Sequence, residues 1–144
     1  MSSRRTFLRT VAAAAATGAL NSGCASVVST PVRPVDGRIR LDPAAHPSLS
    51  GAGGFLRLQP EGARTPVYLV STGYGYAALS PICTHLGCTV EVRGERLECP
   101  CHGSTYDRSG RVLRGPAERS LRSFPVRTLR DGTIEIQLTS EGSA

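Results

Sequence analysis

Residues 97–107, which read LECPCHGSTYD, are the stretch that decides the fold and the chemistry of this chain. They place Cys99 and Cys101 one residue apart, with His102 directly after the second cysteine. Two cysteines at this spacing cannot bond to each other without strain, because a disulfide has a narrow geometry. They cannot both point comfortably at one metal ion either. Each cysteine therefore needs a partner from elsewhere in the chain.

A second segment of similar composition, residues 83–88, reads CTHLGC. Together the two segments hold four cysteines and two histidines within twenty residues. The third histidine, His46, and the fifth cysteine, Cys24, both lie far away along the chain. Such a concentration of sulfur and imidazole groups indicates a metal centre.

Several kinds of site use these residue types. Haem attachment needs two residues between its cysteines, and here only one residue separates them. A tetrahedral zinc site takes four ligands and leaves two of the six candidates unexplained, although zinc stays as an alternative. A cysteine nucleophile with a histidine base uses one pair and leaves the others idle. A [2Fe-2S] cluster with two thiolate and two imidazole ligands, beside one disulfide, uses all six.

The rest of the chain reads as short β segments broken by glycine and proline, and no window after residue 26 shows sustained helical periodicity. An Asp-Gly turn at residues 131–132 and a longer turn near residue 94 predict hairpins. We expect an all-β, meander-rich domain. The predicted strands are residues 38–41, 55–59, 67–71, 76–79, 89–92, 96–99, 126–130 and 133–138.

The two motifs, Cys-x-His-x-Gly-Cys and Cys-x-Cys-His-Gly-Ser, resemble those of Rieske iron–sulfur proteins, and the likeness extends over about residues 38–138. The resemblance implies a Rieske-type antiparallel β-sandwich with a smaller cluster-binding subdomain of two loops. It also implies the roles of the six residues. Cys83 and Cys99 are expected to bind one iron, His85 and His102 the other, and Cys88 is expected to pair with Cys101.

The disulfide cysteines and the serine after His-Gly are similar to the high-potential branch of that family. In that branch the Ser104 hydroxyl is expected to donate to a cluster sulfide, and the Tyr106 hydroxyl to the sulfur of a cysteine ligand. Donors aimed at sulfur stabilise the reduced form and raise the potential. Residues 114–121, RGPAERSL, resemble the proline loop that covers the cluster, with Glu118 where many relatives have a second proline. The expected cover residues are Leu86, Gly103 and Pro116.

With four ligands committed, no coordination position is open for substrate, so the resemblance implies electron transfer and no independent catalytic site. One role is a carrier, or a small oxidoreductase subunit, in the periplasm or at its membrane face. The alternative is the iron–sulfur subunit of a quinol–cytochrome c oxidoreductase, with quinol as donor. The partner would be cytochrome c, cytochrome b or an oxidoreductase large subunit.

The N-terminal segment is predicted to be a targeting signal rather than part of the folded domain. Arg4 and Arg5, followed by Phe7, Leu8 and an alanine-rich stretch, resemble a twin-arginine export signal over residues 1–25. A short amphipathic helix of the mature fold is the alternative. Gly23-Cys24 resembles a lipoprotein cleavage box, in which Cys24 carries the lipid and anchors the protein to the membrane. Cleavage after Ala25 is the competing interpretation.

The charge of the chain argues against a nucleic-acid partner. The net charge is +6, but three of the 17 basic residues lie in the predicted signal, and no lysine occurs. No basic run is interleaved with aromatic residues, as nucleic-acid binding would favour. The resulting organisation is a signal (residues 1–25), a proline-containing linker (26–37) and a Rieske domain (38–140), whose cluster-binding subdomain spans about residues 81–118.

Overall fold

The structure is a computed structural model that describes residues 28–138. The predicted export signal, the cleavage box at Cys24 and the first two residues of the predicted linker lie outside the described residues. Two short 3₁₀ turns, Pro43–Ala45 and Pro47–Leu49, are the helical elements of this part. The strands, in chain order, are β1 (Ser29–Val32), β2 (Arg38–Leu41), β3 (Phe55–Pro60), β4 (Val67–Ser71), β5 (Tyr76–Leu79), β6 (Glu91–Arg93), β7 (Arg96–Glu98), β8 (Thr105–Tyr106), β9 (Val112–Arg114), β10 (Ser123–Phe124), β11 (Val126–Thr128) and β12 (Ile134–Gln137).

These strands form three sheets. The largest has the order β1-β3-β4-β5-β10, and a three-stranded sheet with the order β11-β12-β2 packs against one of its faces. The third sheet has the order β6-β7-β8-β9 and carries the cysteine and histidine loops at its edge. All pairings are antiparallel except β1 with β3, which is parallel. The predicted all-β sandwich with a smaller subdomain is confirmed.

Strand β4 is buried along its whole length because it serves two hydrophobic cores. Successive side chains of a strand point to opposite faces of the sheet. Val67 and Leu69 therefore pack into the core between the five-stranded and the three-stranded sheet. Tyr68 and Val70 pack on the other face, into the core beneath the cysteine and histidine loops. The five-stranded sheet therefore packs against the three-stranded sheet on one face and against the smaller subdomain on the other.

Gly110 closes the turn between β8 and β9 at a place where no side chain fits. Its φ is 85°, and a Cβ there would lie 2.9 Å from Leu79 Cδ2 and 3.3 Å from Leu121 Cβ. Its carbonyl accepts a hydrogen bond of 2.8 Å from the Leu121 amide. This close approach draws the end of the 114–121 segment onto the main sheet.

Four strands were not predicted from sequence. Strand β1 lies inside the predicted linker, and β8, β9 and β10 are two or three residues long. The eight predicted strands are all present: β2, β4 and β5 have the predicted bounds, β3 is one residue longer, and the other four are shifted or shortened by one to two residues at their ends. Among residues 28–138, no helix has both the length and the apolar character that a membrane crossing requires.

Glu135 is a buried carboxylate among three arginines on the smaller sandwich sheet. Its side chain is 4% exposed, Arg40 donates to it at 2.7 Å, Arg127 donates at 2.6 Å, and Arg38 lies at 3.8 Å. The hydrogen bond from Arg40, together with those from Arg127, outweighs burial and holds the pKa of Glu135 below its ordinary value. The folded state therefore stabilises the ionised carboxylate.

We expect Glu135→Gln to lower the free energy of unfolding at neutral pH, because the arginines then lose their counter-charge. A depressed folded-state pKa contributes stability above the ordinary pKa of a glutamate, and this contribution is lost as pH falls through the folded pKa. The difference between wild type and variant should therefore narrow in acid. Urea denaturation followed by circular dichroism at neutral and acidic pH measures both effects.

The matched control is Glu61→Gln, which breaks the Arg33–Glu61 ion pair on the surface. Both side chains of that pair are more than half exposed, so the loss should be small. Equal losses for the two variants would contradict a special role for the buried carboxylate.

Candidate metal centre

The first cysteine loop, residues 83–88, is held by its own backbone. The amide of Cys83 donates to the carbonyl of Cys88 at 2.8 Å, and the amide of Gly87 donates to the carbonyl of Cys83 at 2.9 Å. Gly87 has a φ of 80°, a conformation that glycine adopts without strain. These bonds close the loop on itself without regular secondary structure.

The second loop, residues 99–104, repeats this bonding scheme position by position. The amide of Cys99 donates to the carbonyl of Ser104 at 2.8 Å, and the amide of Gly103 donates to the carbonyl of Cys99 at 2.9 Å. Gly103 has a φ of 75°. The shared Cys-x-x-x-Gly spacing of the two motifs therefore encodes two similar loops that face each other.

The first cysteine of each loop is buried and free. Cys83 and Cys99 are each 2% exposed, and neither takes part in a disulfide. Burial acts to raise the pKa of the Cys83 thiol, but hydrogen bonds from the Tyr106 hydroxyl, from the backbone at His85 and from neighbouring side chains outweigh it. The net effect is a pKa below the ordinary value, which favours the thiolate that binds metal.

The remaining two cysteines join the loops covalently. Cys88 and Cys101 form a disulfide across 13 residues of sequence, as the family resemblance implied. The sulfurs of Cys88, Cys99 and Cys101 all lie within 4.8 Å of one another. Since the disulfide uses two of them, this group is not a three-thiolate metal site; it places the covalent tie directly beside the free sulfur of Cys99.

The two histidines meet at the outer end of the loops. The rings of His85 and His102 have centroids 4.9 Å apart and planes at 88° to each other. His102 is exposed, and His85 is partly exposed. The Nδ1 atom of His85 is nevertheless buried and has no hydrogen-bond partner among the described residues. A buried ring nitrogen without a hydrogen-bond partner is suited to bind a metal ion.

Tyr106 is fully buried behind the first loop, and its hydroxyl lies 3.2 Å from the sulfur of Cys83. The amide of Thr84 donates to the same oxygen at 3.3 Å, and Thr84 Oγ1 is 3.2 Å away. Burial first, and then the contact with Cys83, raises the pKa of Tyr106 above its ordinary value. The phenol therefore keeps its proton and offers it to the sulfur or to the threonine oxygen.

Ser104 is also fully buried, at the end of the second loop. Its Oγ accepts a hydrogen bond of 2.9 Å from the amide of Ala117. A hydroxyl has one proton and two lone pairs, so this contact leaves the proton of Ser104 for another acceptor. Ser104 also contributes a hydrogen bond toward Cys83 that lowers the pKa of that thiol.

The cover loop, residues 114–121, is fixed to both cysteine loops. The Ser104–Ala117 bond attaches it to the second loop. The Thr84 hydroxyl donates to the carbonyl of Arg119 at 2.6 Å and attaches it to the first loop. Pro116, which follows a cis peptide bond, is exposed and directly precedes Ala117, the first of these two attachments.

The structure brings most of the predicted site residues together. The candidate ligands, the disulfide, Ser104 and Tyr106 lie at one end of the small subdomain. Leu86 and Gly103, predicted to cover the cluster, are exposed at the tips of the first and second loops, with Leu86 69% exposed. Sequence reasoning missed Thr84 and Ala117, whose contacts hold the cover loop. A threonine between a cysteine and a histidine was the only signal for the former.

These residues fit a [2Fe-2S] cluster with mixed ligation. Such a centre takes two thiolates on one iron and two imidazoles on the other. The site offers two free buried cysteines, a pair of facing histidines and an unpartnered buried ring nitrogen on His85. Two imidazole side chains beside two cysteine side chains distinguish this set from an all-cysteine site.

Comparisons with known proteins indicate the same cofactor. The family model of the Rieske [2Fe-2S] domain matches residues 43–125, which is more than half of the chain. The chain is 40% identical over 101 residues to the cytochrome b6-f complex iron-sulfur subunit of Synechococcus sp. (strain CC9605), covering 61% of this chain and 57% of the relative. It is 49% identical over 81 residues to the subunit of the same name from Prochlorococcus marinus (strain MIT 9215), covering 53% and 45%.

The chain thus spans about half the length of the relatives that it matches. Among solved structures, it is similar to a chain from the complex of reduced oxygenase and oxidized ferredoxin in carbazole 1,9a-dioxygenase. That match has a TM-score of 0.52 and 21% identity, and it covers 66% of this chain and 89% of that one, so it supports the fold alone. The fold, the donor set and the family model together lead to one conclusion: the chain belongs to the Rieske [2Fe-2S] domain family, and a [2Fe-2S] cluster is its cofactor.

Proposed function

We propose that the domain transfers single electrons through a [2Fe-2S] cluster held by Cys83, Cys99, His85 and His102. The observation that carries this proposal is the meeting of two buried free cysteines with two facing histidines on a pair of similar loops. When bound, the cluster supplies a one-electron redox centre. The four side chains fill its protein-derived coordination positions, so none is left for a substrate, and we propose no separate catalytic residue.

The surrounding side chains set how readily the centre accepts an electron. The Tyr106 hydroxyl lies within hydrogen-bond distance of the sulfur of Cys83 and can donate its proton to it, and Ser104 accepts from Ala117 and has its own proton to donate. Reduction adds negative charge, and hydrogen bonds to charged acceptors are stronger than those to neutral ones. Both donors therefore favour the reduced form and raise the potential. Leu86, Gly103 and Pro116 form the outer surface over the site.

We propose that the partner is another redox protein and that the domain works in the periplasm or at its membrane face. The sequence features that support this location are the twin arginines and Cys24, through which a lipid could anchor the chain. A second candidate is the iron–sulfur subunit of a quinol-oxidising cytochrome complex. It is favoured by the relatives that bear the name cytochrome b6-f complex iron-sulfur subunit.

Purification of the native protein from fractionated cells separates these two roles. Co-purification with a b-type cytochrome, together with quinol oxidation by the purified complex, supports the second candidate. Recovery as a periplasmic carrier, or with an unrelated oxidoreductase, supports the first. Recovery from the cytoplasmic fraction would contradict the proposed location.

The first test of the cofactor ligands is chemical and spectroscopic. We expect the purified protein to contain two irons and two acid-labile sulfides per chain. After reduction it should give a rhombic EPR signal whose average g lies below the free-electron value, as mixed cysteine and histidine ligation predicts. Cys83→Ser should abolish or severely weaken this signal. Zinc in place of iron and sulfide would refute the assignment.

The second test concerns the two hydroxyl donors. We expect Ser104→Ala and Tyr106→Phe each to lower the reduction potential by about 50 mV, the equivalent of a hydrogen bond that gains about 1 kcal/mol on reduction. Protein-film voltammetry measures the potential, and the EPR signal confirms that the cluster is present in each variant.

The matched control is Tyr68→Phe. The Tyr68 hydroxyl is also buried, but it donates to the Val90 carbonyl at 3.0 Å and does not contact either free cysteine. This variant should lose stability and keep its potential. An unchanged potential in Tyr106→Phe, or an equal shift in Tyr68→Phe, would contradict the tuning role.

A further inference from the structure

A groove of about 560 Å³ is lined by most of the first cysteine loop, residues 83–88, and by no residue of the second. Cys83 and His85 are among its lining residues, so anything seated there lies next to two candidate cluster ligands. The rest of the lining comes from residues 65–66, from residues 80 and 82, and from residues 119, 122 and 124. The groove residues that carry the following argument are Ile82, Leu86, Arg119, Arg122 and Phe124.

The groove is lined by apolar side chains that are open to solvent. Ile82 is 38% exposed and Leu86 is 69% exposed, which places both among the exposed large hydrophobic residues of the described chain. Isolated exposed apolar side chains are ordinary, but two that line one groove together with polar residues mark a contact surface.

The charges at the groove are of one sign. Arg119 and Arg122 line it, and no aspartate or glutamate does. The two cysteine loops, residues 83–88 and 99–104, contain no charged side chain. In the described part of the chain, five of the acidic residues form ion pairs with arginines away from the groove: Glu61, Glu91, Glu95, Asp107 and Glu135.

The backbone of each arginine is held in place by a hydrogen bond to its carbonyl. The carbonyl of Arg119 accepts the bond from Thr84, which holds this part of the cover loop. The guanidinium of Arg122 lies over the ring of Phe124, 5.3 Å from its centroid, and its carbonyl accepts from the amide of Ser80 at 2.8 Å. The positive charges of both arginines therefore lie in the same groove as the exposed apolar side chains and the candidate ligands Cys83 and His85.

We propose that this groove docks the acidic surface of a redox-partner protein, with carboxylates against Arg119 and Arg122 and an apolar side chain against Ile82 and Leu86. The inference rests on the proposed electron-transfer function and adds the chemistry of the partner. An apolar centre with a charged rim is the usual anatomy of a protein interface, and complementary charges raise the rate of encounter. Two arginines around an apolar groove suit a protein better than a polyanion such as nucleic acid.

The test uses the cluster-loaded full chain and two probe proteins, an acidic and a basic soluble cytochrome c, all in the oxidised state so that no electron moves. Calorimetry gives the dissociation constant of each pair at low and at high salt. We expect the acidic cytochrome to bind more tightly than the basic one, and its affinity to fall as salt screens the contact.

The discriminating variant is Arg119→Gln combined with Arg122→Gln. It should weaken binding of the acidic cytochrome about five- to tenfold at low salt, since each exposed pair contributes up to about 1 kcal/mol. The control is Arg96→Gln combined with Arg130→Gln, which removes the same charge from exposed positions outside the groove. It should change the constant less than about twofold. Equal effects of the two double variants would overturn the proposal.

A kinetic readout accompanies the binding readout. One electron passes from the reduced protein to the ferric haem of the acidic cytochrome, which becomes ferrous. Its second-order rate should fall with salt, and it should fall in the groove variant more than in the control. An absent EPR signal would refute the electron-transfer function, whereas an intact signal with preferential binding of the basic cytochrome, or of anionic phospholipid vesicles, would refute the docking proposal alone.

Discussion

The structure depends on holding the four candidate metal ligands together on loops that have no regular secondary structure. Each loop is held by the same two backbone hydrogen bonds. One is donated by the amide of its first cysteine, and the other by the amide of a glycine in the left-handed region. Backbone amides and carbonyls need hydrogen-bond partners when they are buried. In the loops, these bonds therefore serve the purpose that helix or sheet hydrogen bonds serve elsewhere. The disulfide between Cys88 and Cys101 then fixes one loop against the other. The position of every other element follows from the need to support this pair.

The support comes from the main sheet through β4. Its alternating side chains contribute to the sandwich core on one face and to the core beneath the loops on the other. The smaller subdomain has only short strands, and short strands with one hydrophobic face are marginal alone. Sharing a fully buried strand with the sandwich gives it a rigid base. The cover loop adds a second attachment through the Ser104–Ala117 and Thr84–Arg119 hydrogen bonds.

Sequence reasoning proposed the donor set and predicted the hairpins because both are local patterns. Cysteines and histidines at fixed spacings, and an Asp-Gly turn between alternating strands, carry their signal within a few residues. Two of the missed strands depend on distant pairing: β1 is parallel to β3, and β10 joins β5 across more than forty residues. The other two, β8 and β9, pair with strands near them in sequence but are only two and three residues long. Thr84 and Ala117 escaped for the same reason, since each acts through a hydrogen bond to a segment far along the chain. The pairing of Cys88 with Cys101 was available only through the family resemblance.

The proximity of three sulfurs has a consequence for how the protein matures. The sulfur of Cys99 lies within 4.8 Å of both sulfurs of the disulfide. A thiolate at that distance is placed for thiol–disulfide exchange, in which it bonds to one disulfide sulfur and releases the other as a thiolate, with no oxidant required. In the proposed ligation, iron bound to Cys99 occupies that nucleophile. Cofactor loading would then also protect the Cys88–Cys101 disulfide from exchange with Cys99.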